Sequence, residues 1–407
     1  MLLYDLLKYT SLRESVGLEM IKDIVAPARE HELFVILLDA LYILKWNYGL
    51  RKGADFFNKL NKEIEQAEKW KRYAQRAQDL YVQLGQFSTF NTKADKNRLI
   101  EFLNSSIAEL KQYYLESGVK SIGYFMRTFE MTSFQLNKEP EKAKEAALAI
   151  IDLMDANKVI AFKIRYGVCY SYIAEFEAEM GHYEQAINYI NKARPFMGQS
   201  VINTAVSKRL ELNIYILKDD FHKAIEIADD LLKTSPQVTG DFRRDIIFYF
   251  KACCHFMLGE YRECARLLGQ KFQLTRDKLG WEVNIRFMRI MTLVEQNKPD
   301  EAFSMVQSLH KHMERYKQIK DLSERDHMLL MVFRELAREG FAFQRPTDKV
   351  YRYLLLLLEK GKPHSWEPLS PELIRIHDWI IRKYEHFVPP APAKKKTEPR
   401  EKVKGNA

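Results

Sequence analysis

The stretch that decides the fold is Gly181-His182-Tyr183-Glu184-Gln185-Ala186-Ile187-Asn188-Tyr189-Ile190-Asn191-Lys192-Ala193-Arg194. Its first residue is a glycine, which favours a tight break after a preceding helix. The apolar residues that follow recur every three or four positions, which predicts a short amphipathic helix. Related stretches recur along the chain, so this unit indicates a stack of paired helices.

Five such units follow one pattern: a long helix, a short break, and a second helix with a small residue near its start. The small residues stand at positions 143, 186, 224, 264 and 302, at intervals of 43, 38, 40 and 38 residues. A fixed period near 40 is typical of a helical solenoid. The second helices open with Glu139-Pro140-Glu141-Lys142-Ala143, His182-Tyr183-Glu184-Gln185-Ala186, Asp220-Phe221-His222-Lys223-Ala224, Glu260-Tyr261-Arg262-Glu263-Cys264 and Lys298-Pro299-Asp300-Glu301-Ala302.

These segments resemble tetratricopeptide repeats (TPRs), whose second helix opens with aspartate-tyrosine and an alanine. The period is longer than the family's length of about 34 residues, and the family's first-helix tryptophan is missing. The resemblance implies an all-α fold, a right-handed α-α superhelix of antiparallel helix pairs, over residues 117–317. The positions that carry it are the second-helix small residues Ala186, Ala193 and Ala224, the closing proline Pro236, and Ala174 and Ala252 in the helices before them.

Composition agrees with a helix-rich chain, because only 16 of the 407 residues are glycine and 13 are proline. The formal net charge is +9, but the last twenty residues contain six lysines or arginines and only two glutamates. The rest of the chain therefore lacks the concentrated basic footprint that a phosphate backbone requires. We expect nucleic-acid binding to be unlikely, and residues 388–407 to be a disordered basic tail.

The cysteines Cys169, Cys253, Cys254 and Cys264 are irregularly spaced, which favours a reducing compartment over a disulfide framework. We see no signal peptide and no membrane span, so we expect a cytoplasmic protein. The cluster Cys253-Cys254-His255 with Cys264 lacks the spacing of a zinc site, and small buried residues explain it better. Without a phosphate-binding loop or a nucleophile motif, we expect neither an enzyme nor a cofactor.

Both ends of the chain read as helical regions outside the repeats. Residues 1–116 contain a long amphipathic helix, 54–84, whose apolar residues follow a near-heptad spacing. This seam indicates either a homodimer through the N-terminal helices or, as we prefer, packing against helices of the same chain. Residues 318–387 read as a degenerate repeat and a C-terminal capping helix that opens at Ser370-Pro371-Glu372 and runs through Phe387.

In the TPR register, the first helices line the concave side of the stack. One row of positions there holds Thr128, Ser171, Arg209, Tyr249 and Phe287, and the next holds Thr132, Glu175, Asn213, Cys253 and Met291. Aromatic residues, methionine and arginine are enriched where proteins bind partners. The alternative is that the register is shifted by one position and that the aromatic residues are inter-repeat core. From these rows and their neighbours we predict partner-binding residues at Ser171, Glu175, Arg209, Asn213, Tyr249, Phe250, Phe287 and Met288.

The resemblance and the absence of catalytic motifs predict a non-catalytic scaffold that binds a protein or peptide on its concave face. Two alternatives stay open. The repeats of a regulatory sensor would bind a peptide or small ligand and change the curvature of the superhelix. An RNA-binding helical repeat is the more remote alternative.

Overall fold

The computed structural model describes residues 14–49, 51–86, 93–198, 201–233, 236–272, 280–316 and 323–384, and these residues form helices and turns without a strand. The predicted all-α architecture is confirmed. The chain divides into two compact units, residues 1–274 and 275–407, called unit 1 and unit 2. The basic tail, 388–407, lies outside the described residues.

Unit 1 contains twelve of the described α-helices and unit 2 contains five. Among the described residues, none of these helices combines the length and apolarity that crossing a bilayer requires. In chain order they are α1 (Glu14–Glu30), α2 (Phe34–Tyr48), α3 (Ala54–Gln86), α4 (Lys93–Ser117), α5 (Lys120–Leu136), α6 (Pro140–Ala156), α7 (Lys163–Glu179), α8 (Tyr183–Ala193), α9 (Val201–Leu217), α10 (Phe221–Lys233), α11 (Pro236–Met257), α12 (Tyr261–Leu268), α13 (Trp281–Glu295), α14 (Pro299–Tyr316), α15 (Glu324–Arg338), α16 (Asp348–Leu358) and α17 (Ile376–Lys383).

The long helix α3 packs within the chain. Its apolar seam lies against α2, α4 and α5, and Leu60, Ile64 and Ala67 are buried there. Ala77 is fully buried, which is how a small residue lets two helices approach closely. The seam thus takes part in the packing that we prefer to a coiled coil between two chains.

The five predicted second helices begin at Pro140, Tyr183, Phe221, Tyr261 and Pro299, as the repeat pattern indicates. One turn geometry precedes all five: the residue two positions before each helix has a positive φ, and these residues are Lys138, Gly181, Asp219, Gly259 and Asn297. In each turn, the next backbone N–H donates to the carbonyl oxygen five residues earlier, at 2.8–3.0 Å. This bond closes a Schellman motif, which ends one helix and aims the chain at the next.

The same turn, with Glu32 at positive φ, joins α1 to α2, where the sequence shows no repeat motif. Glu32 also accepts hydrogen bonds from the N–H groups of Lys120 and Ser121, the latter at 3.1 Å, and so caps the start of α5. The turn between the first two helices is therefore tied to the first predicted repeat.

Each small residue near the start of a second helix is fully buried. Because a side chain of this size leaves room for the backbone of the first helix, the two helices of a pair approach closely. These residues are packing residues, as the sequence indicates: Ala143, Ala186, Ala224, Cys264 and Ala302.

The start of the last helix is a correction. The sequence predicts it at Ser370, but α17 begins at Ile376. Glu372 is buried, and its carboxylate accepts hydrogen bonds from Nε and Nη2 of Arg325. It also accepts a hydrogen bond from the backbone N–H of Ile376 at 3.0 Å. The carboxylate that resembled a first-turn residue is therefore an anchor in front of the helix.

Candidate functional site

Four of the predicted partner-binding residues occupy equivalent places on two first helices of unit 1. Ser171 and Glu175 lie on α7, and Arg209 and Asn213 lie on α9, 38 residues further along. All four are half-buried. α7 and α9 pack against each other, so the structure brings these residues onto one surface.

The other four predicted residues are buried. Tyr249 and Phe250 on α11, and Phe287 and Met288 on α13, are only 0–3% exposed. The rings of Tyr249 and Phe250 meet edge to face at 6.4 Å, and Phe287 stacks on Phe333 at 5.2 Å. This burial agrees with the alternative interpretation, in which the aromatic residues belong to the core between repeats.

The structure adds apolar residues that our sequence analysis missed. On α7, Ile164 and Val168 are each 41% exposed, and on α9, Ile202 and Val206 are 51% and 41% exposed. These pairs also stand 38 residues apart, one and two turns before the polar residues. The spacing of 38 residues, which the polar pairs share, could have revealed these apolar residues in the sequence. We call the eight residues the first-helix face: Ile164, Val168, Ser171, Glu175, Ile202, Val206, Arg209 and Asn213.

The polar half of this face is only partly satisfied. Glu175 accepts a hydrogen bond from Nε2 of Gln135 at 3.3 Å, and burial raises the pKa of its carboxyl although the charge of Arg209 opposes the shift. The buried Oδ1 of Asn213 accepts no hydrogen bond from the described residues. A carboxylate held at a desolvation cost and a buried acceptor without a donor are both more typical of a binding site than of a stabilising surface.

Unit 1 also contains a cavity of about 750 Å³. The guanidinium of Arg165 is fixed at its wall: Nη1 donates to the carbonyl of Ile160 at 3.1 Å, and the group lies 4.1 Å from the ring centre of Tyr124 and 4.8 Å from that of Phe162. Phe162 is 56% exposed. The walls are formed by Glu32, Leu33, Phe34, Val35, Ile36, Lys71, Ala74, Gln75, Gln78, Asp79, Ser121, Phe125, Val159, Ile160, Phe162 and Arg165.

The cysteines show no sign of reactivity. Burial raises the pKa of the Cys169 and Cys254 thiols to about 12, and that of Cys253 also rises. Thiols with raised pKa values are poor nucleophiles at neutral pH. Within the described part of the chain, no three His, Cys, Asp or Glu side chains are grouped so that they could hold a metal ion.

Comparisons with known proteins place the fold. The structure is similar to the crystal structure of the apo form of RapI, with a TM-score of 0.52 and 13% identity, over 80% of this chain and 86% of RapI. A match to the TPR domain of P58(IPK) has a TM-score of 0.30 and 14% identity, over 81% of this chain and 84% of that domain. No protein-family model matches the chain, and no curated protein matches its sequence. The chain therefore has a TPR-like helical-repeat fold, as its repeated helix pairs predict.

Proposed function

We propose that this protein is a non-catalytic binding protein that holds a peptide segment of a partner protein on its first-helix face. The observation that carries the proposal is the repeated pair of exposed aliphatic side chains, Ile164 with Val168 and Ile202 with Val206. Isolated exposed apolar residues are ordinary, but a contiguous group beside polar residues is typical of an interaction surface.

The chemistry of the face favours a peptide with apolar side chains. Covering what remains exposed of the four aliphatic side chains contributes about 4 kcal/mol, roughly 1 kcal/mol each. The buried Oδ1 of Asn213 lacks a donor among the described residues, and rotation of this side chain towards the ligand would let it accept a backbone N–H. Glu175 and Arg209 supply one charge of each sign, which supports recognition of a polar segment next to the apolar one.

The regulatory sensor is the second candidate, and the cavity favours it. Its walls combine the start of α2 and one side of α3 with α5 and the connection between α6 and α7. An occupant there would link the N-terminal helices to the first repeats. Small-angle scattering of a peptide complex separates the candidates, because the scaffold keeps its radius of gyration whereas the sensor becomes more compact.

The test begins with a random peptide library selected on the full chain. Affinity of a selected peptide is then measured by fluorescence anisotropy for the wild type and for Val168→Asp combined with Val206→Asp. Two buried carboxylates beneath a bound apolar segment should weaken binding by about tenfold or more, which is about 1.4 kcal/mol.

The matched control combines Val82→Asp with Leu115→Asp, since these aliphatic residues are 59% and 75% exposed away from the first-helix face. It should bind within about twofold of the wild type, because an exposed aspartate at a remote site costs little. Circular dichroism checks that all the variants fold. Equal affinity in both double variants, or the recovery of no peptide, would reject the proposal.

A further inference from the structure

A second cavity, of about 480 Å³, lies in unit 2 and is lined by α13 and α14 alone. Four basic side chains contribute to it, together with two serines, a glutamine and a phenylalanine. No acidic residue lies among the side chains that line it. They are Arg286, Phe303, Ser304, Gln307, Ser308, Lys311, His312 and Arg315.

The deep wall of this cavity is built around Arg286. Its Nε and Nη2 donate to one oxygen of Glu282 at 3.2 and 2.6 Å, and its Nη1 donates to the hydroxyl of Ser308 at 3.2 Å. The other Glu282 oxygen lies 3.8 Å from Nε2 of His312. Both Glu282 and His312 are at least nine-tenths buried. The guanidinium is therefore held in one place, and Glu282 balances only one positive charge.

Two exposed cations of the cavity lack a carboxylate partner in the described part of the chain. Lys311 and Arg315 form no ion pair with the residues that the structure describes, and both project from the exposed side of α14. Glu314 lies on the side of the helix that acts on His310, where it raises the pKa that burial and Arg334 lower. Burial and the charge of Arg286 lower the pKa of Arg289, although the charge of Glu282 opposes the shift.

We infer that this cavity is a binding site for a small, multiply charged anion that carries phosphate or carboxylate groups. Guanidinium and ammonium groups that outnumber the carboxylates beside them attract such an anion, and each hydrogen bond to it is charge-assisted. Arg286 is the immobilised cation of the site, and Lys311 and Arg315 are its exposed cations. Gln307 and Ser304 add polar groups along the same side of α14. The first-helix face of unit 1 takes no part in it.

Isothermal titration calorimetry of the full chain tests the site, with pyrophosphate and citrate as probes at an ionic strength on the order of 10 mM, where screening is weak. We expect the wild type to bind at least one probe with a micromolar dissociation constant. Lys311→Glu combined with Arg315→Glu should lose at least about tenfold in affinity, because two attractive charges become repulsive. Binding of pyrophosphate alone assigns a phosphate ligand, and binding of citrate alone assigns a carboxylate.

The control combines Lys233→Glu with Arg352→Glu, both exposed and absent from the cavity lining, so that the net charge changes by the same amount. This control should keep the wild-type affinity. Equal weakening in both double variants would mean that only net charge matters and would overturn the inference. Absence of binding by either probe to the folded wild type would also overturn it. Circular dichroism verifies that each variant is folded.

Discussion

The first helices α7 and α9 use the same repeat positions in the opposite way to the first helix α13. On α7 and α9, the apolar positions hold side chains that are 41–51% exposed. On α13, Asn284 stands at the position of Val168 and Val206, while Phe287 and Met291 stand at the positions of Ser171 and Glu175, and all three are at most 4% exposed. A position in the repeat therefore does not decide whether a residue meets a partner; what covers it does.

The cover on α13 comes from the chain itself. Phe333 of α15 stacks on Phe287 at 5.2 Å, and Trp379 of α17 lies 6.3 Å from Phe333. Trp379 also donates its indole N–H to Glu295 at 2.6 Å, and Lys383 pairs with the same carboxylate at 2.7 Å. Aromatic side chains and one charged contact are thus the means by which this chain covers a first helix.

The largest expected effect on stability comes from removing a buried side chain of α13. Phe287→Ala removes a fully buried ring from a stack, so we expect a loss of about 4 kcal/mol in the free energy of unfolding. Val168→Ala on the open side should change it by less than about 0.5 kcal/mol, because an exposed side chain leaves no cavity. Urea denaturation followed by circular dichroism measures both, and equal losses would contradict the difference in cover.

A second difference is the pH dependence of stability, which we expect from His377 near the start of α17, one of the helices that bury α13. His377 accepts a hydrogen bond from Nη2 of Arg325 at 2.8 Å, and burial together with that charge lowers its pKa from 6.5 to about 4. In the unfolded chain His377 is protonated as the pH falls below about 6.5, whereas in the folded chain it is protonated only near pH 4. The stabilisation is therefore complete above pH 6.5, and about 3 kcal/mol is lost as the pH falls to about 4.

The measurement compares unfolding free energies between pH 7 and pH 4 for the wild type and His377→Asn. Asparagine still offers an oxygen to Arg325 but does not titrate, so this variant should lose the part of the slope that belongs to His377. His222→Gln, at an exposed histidine of α10, should keep the wild-type slope. A wild-type slope in His377→Asn would show that the acid sensitivity has another source.

The smallest effect concerns the turn, which both units share. Lys138 and Asp219 in unit 1 have φ values of 59° and 62°, a region that costs a residue with a Cβ but suits glycine. Lys138→Gly should raise the free energy of unfolding by about 0.5–1 kcal/mol, and Asp219→Gly should raise it by less, because aspartate tolerates this conformation better than lysine. Asn297→Gly in unit 2 should gain less, because asparagine tolerates this conformation.

Lys111→Gly is the matched control for these turn variants, since Lys111 is exposed inside α4. There glycine should cost about 1 kcal/mol, because it loses more conformational freedom on entering a helix. Thermal denaturation of the four variants gives the sign of each change. Destabilisation at Lys138 and Asp219 would indicate that their side chains contribute more than the backbone strain costs.

Local features of the sequence account for the parts that were predicted correctly. Proline, acidic residues and a small residue mark the five second-helix starts within a few positions, so a pattern suffices there. A local pattern cannot predict which first helix is buried by other helices, because Phe333 and Trp379 contact Phe287 and Glu295 from distant parts of the chain. The same limitation explains the start of α17: Glu372 resembles a first-turn carboxylate, and only its ion pair with Arg325 shows otherwise.

The shared turn also bears on how such a chain can acquire new specificities. Second helices range from the eight residues of Tyr261–Leu268 to the eighteen of Pro299–Tyr316, whereas α5, α7 and α9 all have seventeen. In these three repeats the second helices differ in length and the first helices do not, whereas the first helices α11 and α13 have 22 and 15 residues. Evolution, or an engineer, can exchange four side chains per repeat without redesigning the backbone that presents them.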